Sequence, residues 1–117
     1  MFSNRVLQYY HQLSGPANLP SHVVVLNPYQ NTYALSLCQQ FYDKYYSDDQ
    51  PRKILFGINP GRLGAGLTGI PFTDPTALSN RCAIPNTLNQ RAELSSSFIY
   101  EMIASFGGAA AFYARYY

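Results

Sequence analysis

The chain has 117 residues and a mass of 13.1 kDa, which suits one domain with one hydrophobic core. Its residues are 47% hydrophobic and only 12% charged, which excludes extended disorder. A formal net charge of +2 excludes a nucleic-acid binder that works by overall electrostatics, so any anion site must be local.

Phe2, Val6, Tyr9, Tyr10 and Leu13 recur at helical spacing, and Ser14-Gly15-Pro16 closes that segment, so the chain is expected to open on an amphipathic helix. The N-terminus lacks the basic start and continuous apolar stretch of a secretory signal, and a cytoplasmic protein is expected. After the breakers of Gly15 to Pro20, His22 to Leu26 reads as a short apolar stretch. Asn27-Pro28 then offers a cap and a first-turn proline for a second helix, whose stripe is Leu35, Cys38, Phe41, Tyr42 and Tyr45 or Tyr46. The apolar runs Val23 to Leu26 and Ile54 to Phe56 are far shorter than the ~20 residues of a membrane span, and no membrane partner is expected. Cys38 and Cys82 show no CxxC spacing and read as small buried hydrophobes.

Lys53 to Ile58 is an almost unbroken apolar run of strand formers, the pattern of a parallel strand covered on both faces. From Asn59 to Pro75, Gly61, Gly64, Gly66 and Gly69 alternate with Pro60, Pro71 and Pro75, which predicts a structured loop. Thr76 to Arg91 is polar and ambiguous, and one reading of it is a short helix and then a surface loop. Leu94, Phe98, Met102, Ile103 and Phe106 form a helical stripe that stops at Gly107-Gly108. Ala109 to Tyr117 reads as the opening of another helix or as the approach to a strand. One confident strand needs parallel neighbours, so an α/β class is expected, with residues 1–117 the N-terminal portion of a larger domain.

In open parallel sheets, ligands sit beyond the carboxyl ends of strands, and Gly57-Ile58-Asn59-Pro60-Gly61 lies in that place. An isolated Asn-Pro-Gly after a strand also makes an ordinary capped turn, and Asn27-Pro28 is best read that way. The Asn59 stretch continues, however, through glycines to Thr68-Gly69-Ile70-Pro71-Phe72 and Thr73-Asp74-Pro75. Both halves, at this separation, resemble the first active-site motif of the uracil-DNA glycosylase superfamily, above all its single-strand-selective monofunctional (SMUG) type. Leu26-Asn27-Pro28-Tyr29 and Leu94 to Phe98 are further similar to a bacterial SMUG-like branch, in which the resemblance covers most of the chain.

The resemblance implies a three-layer αβα parallel-sheet fold, here truncated before its later strands. It also implies hydrolysis of the N-glycosidic bond of uracil or a related damaged pyrimidine turned out of the DNA stack. Asn59 would be the catalytic residue, orienting the attacking water through its amide. Gly57, Ile58, Pro60, Gly61, Gly69 and Phe72 would bind the substrate, main chain near Ile58 and Asn59 donating to a base carbonyl and Phe72 stacking on the flipped ring. Arg62 and Gly64 are the expected DNA-backbone contacts, although Arg62 also fits a solvated loop charge and Asp74 a turn cap.

No triphosphate-loop ending and no metal-ligand spacing occur, and neither metal nor cofactor is expected. The superfamily's second motif, a His-containing loop, has no counterpart, since His11 and His22 both precede Asn59. Losing such an electrostatic group costs about 10²–10³ in rate, so the chain alone is expected to have little activity. Two other readings stay open: a noncatalytic nucleic-acid-binding module that uses its 11 tyrosines, and an orphan half-domain without a stable fold.

Overall fold

The computed structural model describes residues 1–117. The first stripe forms α1 (Phe2–Gln12), which buries Val6, Leu7 and Tyr10 and ends where Leu13 turns extended. Asn27 caps a single 3₁₀ turn, Pro28–Gln30, by accepting from the Tyr29 N–H at 3.0 Å, and its amide donates to the Leu13 carbonyl at 2.9 Å. The second helix, α2 (Thr32–Tyr45), therefore starts later than Asn27-Pro28 suggested. Its cap is Asn31, whose extended backbone breaks the 3₁₀ turn and whose Oδ1 accepts from the Ala34 N–H at 3.0 Å. Leu37, Cys38, Phe41 and Tyr42 line its buried face, close to the expected stripe.

The glycine-rich stretch holds one helical turn, α3 (Ala65–Thr68), stopped by Gly69 in the left-handed conformation. Asp74 caps α4 (Pro75–Asn80), where Pro75 occupies the first turn. The stripe from Leu94 becomes α5 (Leu94–Phe106), and Gly107 and Gly108, both at positive φ, turn the chain into α6 (Ala109–Tyr113).

The expected α/β class with a three-layer αβα parallel sheet is overturned, because the chain forms six α-helices and no strand. Lys53 to Leu55 does run parallel to Arg115 to Tyr117. Their contacts are Lys53 N–H to the Arg115 carbonyl at 2.9 Å, Tyr117 N–H to the Lys53 carbonyl at 2.9 Å and Leu55 N–H to the Tyr117 carbonyl at 2.7 Å. These amount to a single isolated bridge, Lys53 with Tyr116. Apolar composition favours a strand only where neighbouring main chain completes the ladder, and Phe56, Gly57 and Ile58 make no main-chain hydrogen bond at all. Phe56 and Ile58 are 89% and 101% exposed, the opposite of a strand covered on both faces. Val23 to Leu26 is exposed as well.

The core lies between α1, α2, α5 and α6 and is built largely from aromatic rings. Tyr10 stacks on Tyr29 with centroids 4.1 Å apart, and Phe41 meets Tyr113 edge-on at 5.1 Å. Buried hydroxyls satisfy one another: Tyr10 with Tyr42 at 3.2 Å, Tyr10 with Tyr117 at 3.1 Å and Tyr100 with Tyr113 at 2.7 Å. Burial pushes the Tyr10 phenol up to about 12 and raises Tyr42 and Tyr100 well above their ordinary value. Arg52, with a side chain only 3% exposed, closes the far end. It donates to the Tyr113 carbonyl at 2.7 Å, pairs with Asp48 and lies 4.7 Å from the Tyr46 ring centroid.

Candidate active site

Asn59 stands at the exposed end of the Ile54 to Ile58 segment, with its amide donating to the Pro60 carbonyl at 3.3 Å. The chain then curls around the Gly61 carbonyl, which accepts from the Gly66 N–H at 2.8 Å and the Gly64 N–H at 3.1 Å. That curl explains Gly66, since a Cβ there would come within 2.7 Å of the same oxygen. Ile58 directs its side chain to solvent, Arg62 is exposed without an ion pair, and Gly64 is buried.

Phe72 is presented by a turn clamped from below. The buried Thr68 hydroxyl donates to the Thr73 carbonyl at 2.7 Å and accepts from the Ile70 N–H at 3.1 Å. The Gly69 carbonyl accepts from the Tyr29 hydroxyl at 2.8 Å, and Cys38 Sγ donates to the Thr68 carbonyl at 3.1 Å. Burial pushes the Cys38 thiol up to about 12, so it stays a neutral donor. Gly69, at φ 73°, has no room for a side chain, because a Cβ would meet Cys38 Sγ at 2.7 Å and the Tyr29 ring at 2.8 Å. Phe72 itself sits at φ 57°, a left-handed conformation rare for a bulky residue and sustained here by the clamp beneath it.

Asn59 and Phe72 line the same groove, an open cavity of about 670 Å³ with mostly hydrophobic walls. Gly57, Ile58, Pro60 and Gly61 also contribute to it, whereas Gly69, Arg62 and Gly64 do not line it. Gly69 acts from underneath, through the Phe72 turn. His11 and His22 are exposed and lie outside the groove.

Glu93 belongs to this groove too, and no motif signals it. It is half-buried at the start of α5, and its N–H donates to Asp74 Oδ2 at 2.8 Å. Its carboxylate lies against the open faces of Gly61 and Gly64, in the space that a side chain on either glycine would need. The contact joins residues about 30 positions apart and so has no local sequence signature. Asp74, weighed from sequence as a turn cap, does cap α4 through the Ala77 N–H at 2.7 Å and also anchors Glu93.

No group of three or more His, Cys, Asp or Glu side chains comes together in a metal-binding arrangement, and no helix is long and apolar enough to cross a membrane. No protein-family model and no curated protein matches the sequence. Among solved structures, crystalline wild-type SMUG2 from Pedobacter heparinus matches with a TM-score of 0.90 and 47% sequence identity, covering 99% of this chain and 50% of that chain. The chain therefore spans half the length of that relative. The motif from Gly57 to Phe72 and this match agree: the chain is related, over nearly its whole length, to the SMUG-like branch of the uracil-DNA glycosylase superfamily.

Proposed function

We propose that a protein carrying this chain hydrolyses the N-glycosidic bond of uracil or a related damaged pyrimidine in DNA, with the base turned out into the groove of Asn59 and Phe72. The observation that supports this reading is that the carboxamide and the aromatic ring share one open, mostly apolar cavity. Asn59 would hold a water on the sugar side through its amide, acting by position because an uncharged carboxamide is a poor base. Phe72 would stack on the base, which is worth roughly 1–3 kcal/mol and tolerates several bases. The unbonded main chain of Gly57 and Ile58 would be free to donate to a base carbonyl as negative charge grows there. Arg62 would meet a phosphate and Gly64 would let the loop approach the DNA backbone.

The test compares the 117-residue chain with a chimera joining it to the half of Pedobacter heparinus SMUG2 that it does not match. The chimera is expected to release uracil from single- or double-stranded DNA, and the chain alone to release little or none. Asn59→Ala in the chimera is expected to lower the rate at least 100-fold. A folded chimera that releases no uracil, or one that Asn59→Ala leaves unchanged, would sink this reading.

A further inference from the structure

We propose that Glu93 is a further catalytic residue of this site, the carboxylate that faces positive charge on the sugar and takes the proton of the water held by Asn59. The inference rests on the glycosylase reading and deepens it.

Four observations converge on Glu93. It is the one charged side chain lining the groove of Asn59 and Phe72. Its oxygens are seated against two glycines of the Asn59 loop, Oε1 over Gly61 and Oε2 over Gly64, so the loop keeps both positions bare where the carboxylate rests. Its backbone is fixed: the N–H donates to Asp74, itself only 2% exposed, and the carbonyl accepts from the Ser97 N–H at 2.9 Å as α5 begins. Finally, no hydrogen bond or salt bridge engages the carboxylate oxygens. A carboxylate without a protein partner, at the wall of a mostly apolar groove, is available to attract a transient cation.

The chemistry needs such a group. When the bond between C1′ and the base nitrogen breaks, its electron pair leaves with the base and positive charge develops on the sugar. A water oxygen bonds to C1′ and must lose a proton, while the departed base takes one from solvent. Asn59 can aim that water but cannot keep its proton, whereas a carboxylate can take it and meanwhile oppose the sugar's charge.

The experiment uses the 117-residue chain itself and two single-stranded oligonucleotides, one with a protonated pyrrolidine and one with tetrahydrofuran in place of a deoxyribose. The rings differ chiefly in charge, so the ratio of their dissociation constants reads what faces the sugar. We expect the chain to prefer the pyrrolidinium at least tenfold. Glu93→Gln should reduce that preference to below twofold, and Glu93→Asp should keep part of it. In the active chimera, Glu93→Gln should slow uracil release about 100-fold. The proposal is overturned if the unaltered chain shows no preference, or if Glu93→Gln keeps either the preference or the rate of uracil release. If neither oligonucleotide binds better than unmodified DNA, the glycosylase reading fails along with it.

Discussion

The ring of Phe72 lies on the bare face of Gly57: a Cβ built on the glycine would stand 3.0 Å from the ring's Cε1 and 3.1 Å from its Cζ. This contact joins the two ends of the motif, so the turn that carries Asn59 also seats the aromatic platform. Gly57→Ala should push the ring by a few tenths of an ångström without disturbing the core. We expect an unchanged urea midpoint for the chain and about fivefold weaker binding of a uracil-containing oligonucleotide by the chimera, corresponding to about 1 kcal/mol.

The positive φ of Phe72 makes a second prediction. Phe72→Ala and Phe72→Gly both remove the ring, and each should weaken binding of the flipped base by roughly 1–3 kcal/mol. They differ in backbone strain, because alanine keeps the penalty of φ 57° and glycine does not. Phe72→Gly should therefore be about 1 kcal/mol more stable than Phe72→Ala in urea denaturation. A reversed order would show that the left-handed turn stores no strain.

Asp74 holds two main-chain donors from different elements, the Ala77 N–H with one oxygen and the Glu93 N–H with the other. Asp74→Ala leaves both donors without a carboxylate partner and should cost about 3 kcal/mol. Asp74→Asn keeps one acceptor and should cost about 1 kcal/mol. Equilibrium denaturation of the two variants measures the difference, and equal losses would contradict the shared-anchor geometry.

Alkaline stability follows from the buried hydroxyls and thiol. Burial raises Tyr10 and Cys38 to about 12 each, against ordinary values of 10.0 and 9.0, and pushes Tyr29, Tyr42, Tyr46, Tyr100 and Tyr113 upward as well. The folded state thus favours the neutral forms. Their contribution is whole below about pH 9, and the unfolded chain gains by ionising above it, so stability should decline as pH rises and be lost by about pH 12. Tyrosinate absorbance should consequently rise together with the loss of helical circular dichroism. Smooth ionisation near pH 10 with the helices intact would contradict the buried network.

Much of the molecule was legible along the chain because the signals are local. The stripes of α1, α2 and α5 depend on side-chain periodicity, the stop at Gly107 on positive φ, and the caps at Asn27 and Asp74 on short polar side chains. The motif from Gly57 to Phe72 is equally local, being one loop with its ends in contact.

Pairing is different. Whether Lys53 to Ile58 becomes a strand depends on which main chain lies beside it, and here Arg115 to Tyr117 reaches only the first part, leaving Phe56 to Ile58 unpaired and exposed. Tertiary structure likewise decided that Glu93 enters the groove of Asn59, because α5 must dock on Asp74 before its first carboxylate meets Gly61 and Gly64. Residue order alone therefore settled the stripes of α1, α2 and α5 and the identity of the motif, through forces that act within a few residues. Strand completion and the groove's charge arise between segments distant in the chain, and only packing brings those together.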